Sequence, residues 1–128
     1  MKKIAITLAL VFLLSSIATV FAADKATTYE GKLVDSKCYL EDTAKNTGHD
    51  HSGVKGCGTM CLKAGTPGAL LTKDNKFYAL LAPSLALAPY VGENIRVTGT
   101  LHGTALQADK VEVNKDGKWV SVEIGGMM

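Results

Sequence analysis

At 128 residues the chain has room for one modest hydrophobic core and too little for two. Its formal net charge of +2 reflects 14 basic and 12 acidic side chains, and Lys2 and Lys3 account for the whole surplus. The remainder is neutral, which argues against nucleic acid or an anionic membrane as a partner.

The N-terminus reads as a secretory signal peptide over residues 1–22. Lys2 and Lys3 form a positive n-region, and Ile4 to Val20 is apolar apart from hydroxyl residues. Val20 and Ala22 then occupy the −3 and −1 positions of a small-residue cleavage site. An uncleaved anchor is the competing reading, weakened by Thr7, Ser15, Ser16 and Thr19 within the stretch. No cysteine lies near the site for lipoprotein processing. The expectation is a single domain over 23–128, periplasmic or secreted, that meets a membrane only through its transient signal peptide.

The first strand is expected over Thr28 to Val34, with Tyr29 and Leu33 on one face and Glu30 and Lys32 on the other. A polar segment over 38–61 follows, with a short helix at Gly58 to Ala64 stopped by Gly65 and Pro67. Gly68 to Thr72 and Lys76 to Leu81 flank Lys73-Asp74-Asn75, a hairpin signal. Ala82 to Val91 suggests about two helical turns, restricted by Pro89. Asn94 to Leu101 alternates cleanly, with Ile95, Val97 and Leu101 facing in. After a turn at His102-Gly103-Thr104, the strand Ala105 to Val113 changes phase between Ala108 and Val111, the signature of a β-bulge. A last short strand over Trp119 to Ile124 precedes a tail expected to fray.

This order predicts a mainly β fold: a small five- to six-stranded OB-like Greek-key barrel with one or two short helices. An open β-sandwich could use the same strands, but closure removes the exposed edges. The motifs Gly31-x-Leu33-Val34-Asp35-x-x-Cys38, Cys57-x3-Cys61-x3-Gly65-x-Pro67, Tyr78-x-Leu80 and Gly92-x3-Arg96-Val97-x-Gly99 span most of the expected domain. In these the chain resembles a group of small, largely uncharacterised secreted bacterial proteins. That resemblance implies an OB-like fold and export, and it implies no activity and no catalytic residue.

Chemistry concentrates between residues 38 and 61. From Glu41 to Gly56 the only aliphatic side chains are Ala44 and Val54, so the segment cannot anchor itself by apolar burial. Yet Cys38 stands at one end, Cys57 and Cys61 at the other, and His49 and His51 between them. All three cysteines and two of the three histidines fall here.

One reading is a structural disulfide from Cys38 to Cys57 or Cys61, worth about 3 kcal/mol for a loop of roughly 20 residues. The other is a metal site. Cys57 and Cys61 share one helix face, Cys38 supplies a third thiolate, and His49 or His51 a fourth ligand, a set suited to zinc or copper(I). His49-Asp50-His51 alone could also hold a divalent ion weakly. An odd thiol remains in any intrachain pairing, free for metal, redox chemistry or an intermolecular disulfide.

His102 reads as a surface residue and Met60 as packing. No paired carboxylates, Ser–His–Asp pattern, phosphate loop or nucleotide fingerprint occurs, and the aromatic residues are too scattered for a stacking platform. The sequence therefore predicts a non-enzymatic exported domain with a Cys/His metal-binding or redox-responsive loop. The alternative is a disulfide-stabilised module that binds a small ligand or a protein, with an envelope component pairing through the odd cysteine as a third class.

Overall fold

In the computed structural model, which describes residues 25–51 and 53–125, the first strand β1 runs Thr27–Asp35. The signal segment 1–22 and the tail beyond Gly125 lie outside the described residues. Leu33, Val34 and Asp35, the last three residues of β1, are all fully buried, which requires cover on both faces of the strand. Leu33 joins the main core, whereas Val34 packs with Tyr39 and Ala69 in a smaller cluster. The residues immediately after β1 are therefore held by packing on both sides of the sheet.

Strands β2 (Gly68–Thr72) and β3 (Phe77–Leu81) form the expected hairpin. Its turn is set by side-chain chemistry: Lys76 N donates to Thr72 Oγ1 at 3.0 Å, and Asn75 takes a left-handed φ of 60° that asparagine tolerates. Strands β4 (Asn94–His102), β5 (Ala105–Lys115) and β6 (Lys118–Val122) follow as an antiparallel meander.

The sheet order is β3-β2-β1-β4-β5-β6, with a further parallel pairing of β3 to β5 that closes the ring. β5 divides one edge between two partners. Ala105 to Gln107 pair with β3, and Val111 to Lys115 pair with β6. The ring is the OB-type barrel that the strand order predicts, and its closure rules out the open sandwich. The register of β4 on β5 shifts at Thr98/Gly99, leaving Asp109 unmatched, where the phase change predicts a bulge. Gly99 is required there, because a Cβ would run into the carbonyl oxygen of Gln107.

The core comprises Leu33, Leu70, Ile95, Val97, Leu106, Val111 and Val113 from strands, closed by Leu62 and Leu87 from short helices. The expected two-turn helix is one α turn, α3 (Ser84–Leu87), followed by a 3-10 turn at Ala88–Tyr90 that accommodates Pro89. Helix α2 (Cys57–Lys63) begins one residue before the expected start, and α1 (Ser36–Glu41) is absent from the sequence expectation. Among the described residues no helix is long and apolar enough to cross a membrane.

On the sheet, Arg96 and Glu112 face each other across β4 and β5. Arg96 donates through Nε and Nη2 to the two carboxylate oxygens of Glu112, at 2.6 and 3.1 Å, and its guanidinium lies 4.7 Å from the Trp119 ring centroid. The Arg96 hydrogen bonds, joined by Lys110, hold Glu112 down to about 2 from its ordinary 4.5. A carboxyl depressed in the folded state stabilises the fold above its unfolded value, and that contribution disappears as pH falls from 4.5 towards 2. Thermal unfolding across this window should fall more steeply with acid for the native protein than for Glu112→Gln; equal slopes would remove the ion pair's role.

Candidate metal centre

The residues of the site converge because three short elements begin or end at one corner of the barrel. Asp35 closes β1 and caps α1, its Oδ1 accepting from Lys37 N at 3.0 Å. One helical turn on, α1 carries Cys38. Tyr39, the buried residue of α1, stacks on Phe77 with ring centroids 5.5 Å apart and so fixes the helix against the sheet.

Helix α2 arrives from the far end of the polar segment. Leu62 sits in the core and Thr59 Oγ1 donates to Ala88 O at 2.9 Å. Gly58 allows this approach, since a Cβ there would lie 2.6 Å from Val91 Cγ1 and 3.3 Å from His51 Cε1.

The polar segment is held by hydrogen bonds in place of apolar burial. Asn46 Nδ2 donates to Cys38 O at 2.7 Å, and Gly58 N donates to His49 O at 3.2 Å. His51 and Val54 exchange both backbone hydrogen bonds, at 3.2 and 2.8 Å, which turns the His51 ring inward. His51 is 3% exposed. Its Nε2 lies 2.8 Å from Gly48 O. A carbonyl only accepts, so Nε2 carries the proton and the lone pair of the neutral ring sits on Nδ1.

Two overlapping donor groups result. The sulfurs of Cys38, Cys57 and Cys61 lie within 4.8 Å of one another, and so do single donor atoms of Asp35, Cys38 and His51. Cys38 belongs to both. The Cys38 and Cys61 sulfurs are 4.0 Å apart, about twice a disulfide bond and close to the roughly 3.8 Å that separates two thiolates on a tetrahedral ion with 2.3 Å bonds. All three cysteines stand as free thiols in this structure, with no sulfur pair at disulfide distance.

Among the described residues no lysine or arginine forms an ion pair with Asp35 in this corner. Asp35 is fully buried; its Oδ2 has no close hydrogen-bond partner, only the facing thiols of Cys38 and Cys61, and neither Nδ1 of His51 nor Oδ1 of Asn46 has a partner. Buried polar atoms are nearly always satisfied, because an unpaired one loses its hydration without compensation. Burial first, and then Asp35, push the Cys38 thiol far up and that of Cys61 up to about 11. A metal held here would draw on Cys38, together with the other two thiols or with Asp35 and His51.

The structure separates the two histidines of the loop. His49 is half-exposed, with Nδ1 2.8 Å from Asp50 Oδ1, and that oxygen also accepts from Gly56 N at 2.7 Å. His49 thus clasps the loop to the start of α2 and stands outside both donor groups, as does a His49-Asp50-His51 site. Asp35, by contrast, was no expected ligand. Its signal was an aspartate ending a strand three residues before a cysteine, a helix-cap spacing that brings the two onto one side. His102 is exposed, and Met60, expected to pack, is 62% exposed.

No family model, curated protein or solved structure matches this chain.

Proposed function

We propose that the protein is an exported, non-enzymatic domain that binds one transition-metal ion through Cys38, Cys57, Cys61 and His51. The observation that carries this reading is the buried His51 ring, whose Nε2 is engaged by Gly48 O, whose Nδ1 has no hydrogen-bond partner, and which forms a donor group with Cys38 and Asp35. Metal-ligating histidines are oriented in this way, with the second nitrogen donating to a backbone carbonyl. Thiolate with imidazole suits zinc, and also copper(I). The redox-responsive form of the reading uses the same groups. The Cys38 and Cys61 sulfurs are near enough to join once the metal leaves and a disulfide reagent accepts their two electrons and two protons.

Metal analysis and thiol counting of protein purified without oxygen test the proposal. The expected result is one zinc per chain and three thiols that react only after chelation. Fewer than two free thiols with no metal would sink it. His51→Ala should weaken zinc binding by at least about tenfold, whereas His49→Ala should leave it unchanged; equal losses in the two variants would count against the assignment.

A second reading, a small-ligand module, has one observation in its favour. An open cleft of about 430 Å³, within the range of ligand pockets, is lined by Lys32, Lys73, Asn94, Asn114 and Trp119. Thr47 of the polar segment forms part of its wall, and none of the metal-site donors does. That reading expects chelation to leave stability unchanged.

A further inference from the structure

We infer that Asp35 makes this site select a divalent over a monovalent metal ion, so that zinc(II) is preferred to copper(I). The inference rests on the metal-binding reading above and adds the class of ion.

Asp35 is, among the described residues, the one carboxylate in either donor group, and it is wholly buried. Among the described residues no lysine or arginine forms an ion pair with it. One oxygen caps α1, the other has only the thiols of Cys38 and Cys61 facing it, and the carboxylate forms a donor group with Cys38 and His51. A buried carboxyl stays ionised only beside a counter-charge and otherwise takes up a proton, so with no basic side chain paired to Asp35 a cation in the site is what would keep it charged.

Through Cys38, which the two donor groups share, three thiolates and one carboxylate bring up to four negative charges into one corner. A divalent ion cancels twice the charge that a monovalent ion does, and its attraction to Asp35 at a given distance is twice as large. The donor chemistry runs the same way. Carboxylate oxygen is a hard ligand, accepted by zinc and disfavoured by copper(I), which takes thiolate and imidazole. A site built for copper(I) gains nothing from a buried carboxylate beside its thiolates.

Asp35→Asn separates the two functions of the side chain. Asparagine caps a helix as well as aspartate and has nearly the same shape, so the variant keeps α1 and removes the charge. Easier ionisation of the thiols in the variant helps both metals, so the ratio of the two affinities isolates the charge. Zinc(II) affinity is measured by competition with a chromophoric zinc chelator and copper(I) affinity by competition with a copper(I) chelator, both without oxygen. The ratio of zinc to copper(I) affinity should fall at least tenfold in Asp35→Asn. Asp35→Ser, a smaller capping residue, should behave alike and covers the case in which asparagine fails to fold. A ratio within threefold of the native value in a folded variant overturns the inference and leaves the metal-binding reading standing. If the native protein binds neither metal, both fall.

Discussion

Replacing Cys38 by serine should reduce zinc affinity by about a hundredfold or more, the largest loss expected of any single thiol in the chain. Cys38 is the only residue common to the two donor groups, so its removal breaks both. Cys57→Ser leaves the group of Asp35, Cys38 and His51 intact and should cost less. The apo fold should survive the Cys38 change, because neither hydrophobic cluster includes this residue. Zinc titration of the three single serine variants checks the order. A loss in Cys57→Ser equal to or greater than that in Cys38→Ser would contradict the shared-ligand geometry.

Chelation should destabilise the domain to a similar degree and in a particular place. Zinc at a thousandfold excess over its Kd stabilises the native state by about 4 kcal/mol. For a domain of this size that corresponds to a Tm change of roughly 16 °C or more. The barrel has its own core, so it should remain folded when the metal is removed. The segment over 42–56 has no such support, since hydrogen bonds at Asn46, Asp50 and His51 replace apolar burial there. On adding a chelator, protection should accordingly be lost in 42–56, while the amides of β1, β4 and β5 stay protected and exchange faster only by as much as the global stability falls. Uniform exchange in the presence and absence of chelator would show that metal plays no part in holding the loop.

Much of the fold was legible because hydrophobic alternation and turn chemistry are local signals. Ile95 and Val97 mark the inner face of β4, Asp74 and Asn75 mark the hairpin, and the slip between Ala108 and Val111 marks the bulge at Asp109. The parallel pairing of β3 with β5 left no local trace and followed only from the overall strand order. Helix α1 escaped because six residues with one buried side chain are too short to show a helical period.

The site was legible in part for the same reason. The cysteines drew attention by confinement to the two ends of one polar segment. Spacing could not choose between His49 and His51, since neighbours two apart in an irregular loop have no fixed relation. The choice depends on the His51–Val54 backbone pairing and on the Gly48 carbonyl, which turn one ring inward, while Asp50 holds the other at the surface. Asp35 was missed because a capping aspartate and a metal-facing aspartate look alike in sequence. Here one carboxylate caps α1 through Oδ1 on the Lys37 amide and also forms a donor group with Cys38 and His51.

X-ray absorption at the zinc edge of the zinc-loaded protein tests the central claim most directly. The account predicts a first shell dominated by sulfur at about 2.3 Å with nitrogen or oxygen at about 2.0 Å, and an imidazole signature that His51→Ala removes and His49→Ala retains. A shell of oxygen and nitrogen without sulfur, or an imidazole signature that follows His49, would contradict it.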